Sequence, residues 1–112
     1  MKTRLTQMLG IRYPIMQGGM QNIGTPILAS AVSNAGGLGT INATIYPKLE
    51  DLQEAIRETK ERTNQPFCVN ISLLPGVSVG DATKDVIRLC GQEGVAVIET
   101  AGTSPKELVP LI

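Results

Sequence analysis

Apolar runs recur along this chain at nearly even intervals, and that recurrence restricts the fold more than any other feature. They begin near Pro14, Leu38, Phe67 and Val95, so the spacings are about 24, 29 and 28 residues. Each is followed by a turn and a helix-like stretch. Strands alternating with helices at this interval predict βα units feeding a parallel sheet. The runs Ile15-Met16, Leu38 to Ile41, Phe67 to Ile71 and Val95 to Ile98 lack the polar alternation of a half-wet sheet, so both faces should be covered. An open doubly wound sheet and a (β/α)8 barrel both achieve this. A barrel allots roughly 250 residues to eight units. The spacing therefore predicts the N-terminal half, about four βα units with parallel strands, of a (β/α)8 TIM barrel in one domain spanning residues 1–112. Half a barrel leaves two strand edges open.

Between the runs lie helix signals. Thr25 is a candidate cap with Pro26 at the first helical position, Ile27, Leu28, Ala31, Val32 and Ala35 make an apolar stripe, and Gly36 supplies a left-handed stop. A second helix is expected from Lys48 to Arg62, with Leu49, Leu52, Ala55 and Ile56 inward and a charged face in solvent. Asp81 opens a third, with Ala82, Val86, Leu89 and Cys90 sharing a face and Gly94 closing it. Ser104-Pro105-Lys106-Glu107 reads as a capping box opening a fourth helix that is cut off at Ile112, which suggests truncation.

Composition removes several classes of function. Ten basic residues balance ten acidic ones and aromatics are 3% of the chain, so neither a basic patch nor a stacking platform for nucleic acid is present. Cys68 and Cys90 match no metal spacing. The absence of a signal peptide or long apolar segment suggests no membrane association and a reducing, cytoplasmic setting. The chain has no histidine, so the usual neutral-pH base is not in it. Cys68 without a histidine partner reads as a small hydrophobe rather than a nucleophile.

Gly18-Gly19-Met20 follows the first apolar run directly. Two glycines exceed what a strand–helix turn demands, and bare backbone at the carboxyl end of a parallel strand lets a flat ligand approach the main chain. The spacing fits neither the dinucleotide fingerprint nor a phosphate-binding P-loop. Gly36-Gly37 serves a helix stop and tight turn, whereas Gly39, inside a strand, leaves room in a crowded barrel interior. Asn70 lies within Phe67-Cys-Val-Asn-Ile71, where a buried amide must find a partner, either a ligand or a neighbouring backbone group. Glu99, ahead of Thr100-Ala101-Gly102, reads as a pocket carboxylate or a surface residue.

The segments Tyr13-Pro-Ile-Met-Gln-Gly-Gly-Met20, Ala31-Val-Ser-Asn-Ala-Gly-Gly-Leu-Gly39, Pro66-Phe-Cys-Val-Asn-Ile71 and Glu99-Thr-Ala-Gly102 together resemble the nitronate monooxygenases, formerly 2-nitropropane dioxygenases. Flavin-type enoyl-acyl-carrier-protein reductases are their close relatives. The resemblance implies an FMN-binding barrel in which Gly18, Gly19 and Met20 pack against the flavin ring and Asn70 contacts it, with Gly102 nearby. It implies oxidation of an alkyl nitronate, with molecular oxygen reoxidising the flavin. The alternatives are flavin-dependent enoyl reduction and a non-catalytic half-barrel that forms a homo-oligomer through its exposed edges. The family's catalytic histidine and phosphate-holding loops belong to the second half of the barrel. No catalytic residue is therefore assigned here, and the 112-residue chain is expected to be inactive and to bind FMN weakly or not at all. Ile41-Asn42-Ala43 departs from the family, whose members often carry a glycine there, and Gln21-Asn22 replaces an aromatic or small pair.

Overall fold

A computed structural model describes residues 1–74 and 80–112. Its elements are α1 (Arg4–Leu9), α2 (Pro26–Asn34), β1 (Gly39–Asn42), α3 (Leu49–Arg62), β2 (Phe67–Leu73), α4 (Asp81–Gln92) and β3 (Val97–Gly102), with 3₁₀ turns at Ala43–Ile45 and Val109–Leu111. The strands form one sheet in the order β1-β2-β3, and both pairings are parallel. Register runs Thr40–Cys68–Val97 and Asn42–Asn70–Glu99 across the sheet. Consecutive strands side by side with a helix between them make the expected βα progression of an amino-terminal barrel portion.

The alternation along each strand sorts the residues onto two faces. One face buries Ile41, Phe67, Val69, Ile71 and Leu73 beneath Ala29 of α2, Leu52 and Ile56 of α3, and Ile87, Leu89 and Cys90 of α4. The other carries Leu38 and Cys68, which cluster with Ile11 at its lower end, and then Thr40, Asn70 and Glu99 toward the strands' carboxyl ends. The helix-covered face is thus a dry core, and the opposite face changes from apolar to polar along the strands.

Several local expectations are corrected. The first apolar run is not a strand of its own: Met16 makes a single parallel bridge to Leu38, and the backbone then leaves the sheet at the glycine pair. α2 turns its predicted stripe outward. Ile27, Ala31 and Ala35 are exposed and Leu28 and Val32 half-buried at its borders, while Pro26, Ala29, Ser30 and Ser33 are buried. The reason is Gly39, whose missing side chain lets β1 lie directly on the Ala29 backbone; an added Cβ would sit 2.8 Å from Ala29 Cα. Only small residues fit at that distance, so Gly39 makes room for a helix outside the sheet, not for the interior. Ser33 meets its polar requirement by donating to Pro66 O (2.9 Å) and accepting from Gly39 N (2.9 Å).

The segment after Ser104 forms turns and the short 3₁₀ turn Val109–Leu111 instead of an α-helix. Its anchor is Leu108, fully buried against the outer core. Finally, α1 was not anticipated, although Thr3 and Thr6 form a reciprocal capping box and Gly10 ends the helix at φ 69°. In α3 and α4 the expected faces hold in part: Leu52, Ala55 and Ile56 are buried, but Leu49 and Ala82 are exposed and Ile87 takes an inward place.

Candidate active site at the carboxyl ends of the strands

The site begins where the first run fails as a strand. Leu38 N donates to Ile15 O and Gln17 N donates to Leu38 O, both at 2.9 Å. Gln17 then continues the ladder with its side chain. Its Nε2 donates to Thr40 O (3.0 Å) and its Oε1 accepts from Thr40 N (3.0 Å), the pair of bonds that two successive peptide groups of a continued strand would supply. Thr40 Oγ1 also donates to Gln17 O at 2.6 Å. A primary amide has the peptide's donor and acceptor, so one side chain replaces a strand residue and frees the backbone to turn away. Gln17 was missed in the sequence; its signal is an amide closing an apolar run just before two glycines.

Beyond Gln17 the segment 18–23 is exposed, and it returns to the sheet where Asn42 N donates to Gly24 O (3.0 Å). Gly18 has open space where a Cβ would stand. Gly19 does not: an added Cβ would overlap the Asn70 side chain, lying 2.7 Å from its Cβ. Gly19 therefore rests its backbone on the Asn70 amide. Met20 is 38% exposed, an apolar surface at the loop's edge.

Asn70 is buried in β2, and its Nδ2 donates to Glu99 Oε2 at 2.8 Å. The partner is thus a side chain on β3, neither of the two kinds considered from sequence, and Glu99 is a half-buried member of the site. Asn42, in the same cross-strand row, is engaged locally, with Oδ1 accepting from Thr44 N (3.0 Å) and Thr44 Oγ1 (2.6 Å). The departure from glycine there supports the 3₁₀ turn Ala43–Ile45. Gly102 ends β3 at φ 103°, and any Cβ would strike the Leu73 carbonyl, the acceptor for Thr103 N (3.0 Å). Its glycine identity follows from that crossing.

The structure thus brings Gly19 onto Asn70, keeps Gly18 and Met20 on the same exposed loop, and joins Gly102 to them only through the end of β2. Cys68 lies beneath, fully buried, its thiol pushed up to about 12 by burial and then by the negative charge of Glu99. A neutral thiol of this kind is no nucleophile. A 540 Å³ groove on the charged face of α3, lined by Glu50, Gln53, Glu54, Arg57, Glu58 and Glu61, touches none of these residues.

Bare backbone and a polar row at the carboxyl ends of parallel strands define a barrel-type α/β protein, with that end of the sheet as its candidate binding face. The solved structures it resembles agree. FabK from Thermotoga maritima superposes with a TM-score of 0.83 at 40% identity over 98% of this chain and 35% of that one. Nitroalkane oxidase from Streptomyces ansochromogenes has the same fold, with a TM-score of 0.78 at 22% identity over 97% of this chain and 39% of that one. The nitronate monooxygenase family model matches residues 2–107, and the chain belongs to that family of flavin-dependent oxidoreductases. A probable nitronate monooxygenase of Staphylococcus aureus is 49% identical over 70 residues, 62% of this chain and 19% of the relative's length. The chain thus covers roughly a third of the solved structures it resembles.

Proposed function

We propose that this chain forms one wall of an FMN site in an enzyme that oxidises alkyl nitronates with molecular oxygen. The observation that carries the reading is the exposed Gly18-Gly19 edge, with Gly19 seated on a buried, hydrogen-bonded Asn70 at the carboxyl end of a parallel sheet. The residues suit the group. Gly18 offers main chain unobstructed by a side chain, Met20 offers an apolar surface for a ring, and Asn70 offers an amide held in one place. Gly102 closes the adjoining strand end. Bound there, FMN would supply the electron transfer. The chain's own part is to place the ring, to keep water from its underside through the apolar layer of Leu38 and Cys68, and to aim peptide N–H groups of Gly18 and Gly19 at developing negative charge. With no histidine among its 112 residues, the chain lacks the usual neutral-pH base, and no turnover is expected from it alone.

The test is titration of the isotope-labelled chain with FMN to millimolar concentration, following amide resonances. Saturable shifts at Gly18, Gly19, Met20, Asn70 and Gly102 are expected, with weak affinity because only one wall is present. Shifts confined to other residues, or none, would sink the reading. Enoyl reduction is the second reading, supported by the likeness to FabK along almost the whole chain. Oxygen uptake with propionate-3-nitronate, against reduction of a crotonyl thioester by a reduced nicotinamide, separates the two.

A further inference from the structure

Asn70 and Glu99 occupy one register position on adjacent parallel strands, and the 2.8 Å bond between them decides more than burial. An amide can face a neighbour with its NH₂ or with its oxygen. An ionised carboxylate only accepts, so it selects the NH₂ and repels the alternative orientation. Asn42, the other side chain in the row, gives its Oδ1 to Thr44. Glu99 therefore fixes which end of the Asn70 amide lies beside the loop: Oδ1 borders Gly19, where an added Cβ would come within 2.5 Å of it.

We propose that Glu99 is a positioning residue, holding Asn70 so that it presents a hydrogen-bond acceptor, and not a donor, to an N–H of the flavin ring. The inference rests on the FMN reading and adds the polarity of the contact and the residue that sets it. Glu99 does not touch the ring in this account; it acts through Asn70.

The experiment inverts the amide. Glu99→Lys places a donor-only group opposite Asn70, which then turns its oxygen to Lys and its NH₂ toward Gly19. FMN affinity, read from the saturable resonance shifts at millimolar ligand, should fall about tenfold because the competent orientation is depopulated. Adding Asn70→Asp should restore it to within about threefold, since a carboxylate can accept from Lys with one oxygen and keep the other beside Gly19. A purely electrostatic role predicts the opposite for the single variant, because a cation in place of Glu99 would attract the phosphate-bearing ligand. Glu99→Gln, which keeps the volume, serves if the Lys variant fails to fold; it should speed solvent exchange of the Asn70 side-chain amide by about tenfold. Unchanged FMN affinity in Glu99→Lys, no recovery in the double variant, or unchanged amide exchange in Glu99→Gln would overturn the proposal while leaving the FMN site standing. Absence of saturable shifts in the wild-type chain would instead remove the FMN reading, and the acceptor role with it.

Discussion

Replacing Gly19 by alanine tests the contact on which the site is built. The glycine lies outside the left-handed region, so alanine is allowed by its backbone and would by itself stabilise the chain by about 0.4–1 kcal/mol through the unfolded state. Sterics decide the sign. The new Cβ overlaps three atoms of Asn70, including Cβ at 2.7 Å, where ordinary contacts begin near 3.4 Å. Asn70 has little freedom to yield, being buried and bonded to Glu99. Overpacking of this kind costs about 1–3 kcal/mol, and displacing Asn70 from a charged partner about 1.5–3 kcal/mol. The loop 18–23 is exposed and can lift to take part of the strain, so a net loss of about 1–2 kcal/mol is expected. Asn70→Ala removes two of the three overlapping atoms. In that background Gly19→Ala should therefore cost at least about 1 kcal/mol less, a coupling well beyond the roughly 0.5 kcal/mol scatter of independent sites. Urea unfolding of the four chains, with slopes compared to confirm a common unfolded state, measures the cycle. Equal cost on both backgrounds, or a stabilised Gly19→Ala chain, would refute the claim that Gly19 is glycine because of Asn70.

Other consequences are as specific. Ser33→Ala leaves Gly39 N–H and Pro66 C=O without their side-chain partner in a buried seam and should destabilise the chain by about 1–3 kcal/mol in the same urea assay; a loss below about 0.5 kcal/mol would show that the backbone re-pairs. Gln17→Glu keeps an acceptor for Thr40 N but sets a carboxylate against Thr40 O, so it should be more disruptive than Gln17→Ala, with exchange of the Thr40 amide as the readout. Cys68, buried with its thiol raised to about 12, should resist a thiol reagent at pH 8 and react once urea unfolds the chain. Glu93 accepts from Arg57 and Gln53, and those bonds hold its carboxyl below the ordinary value of 4.5. A depressed carboxyl pKa stabilises the fold above the unfolded value and loses that contribution as pH falls through the folded one. Stability should therefore decline below about pH 4.5, and Glu93→Gln should flatten part of that decline in acid-unfolding curves.

The βα rhythm and the parallel pairing were legible because they depend on local signals, apolar runs of strand length and helix stops such as Gly36 and Gly94, both at positive φ. The exposed loop 18–23 was legible as two glycines where a strand should end. The facing of α2 was not: periodicity identifies an apolar stripe, but the close approach of Gly39 to Ala29 reversed which side packs. Nor was the segment after Ser104, where a good capping sequence gave way to a 3₁₀ turn anchored by Leu108.

From its residues alone the chain determined the βα rhythm of its middle, the family and the stretch of backbone left bare. The pairings across that stretch were decided only in three dimensions. The side-chain amide of Gln17 takes the place of main-chain partners for Thr40, 23 positions away, and Asn70 meets Glu99 across a gap of 29. A local pattern reports which groups need partners; only the packed sheet, by fixing register, decides which ones they get.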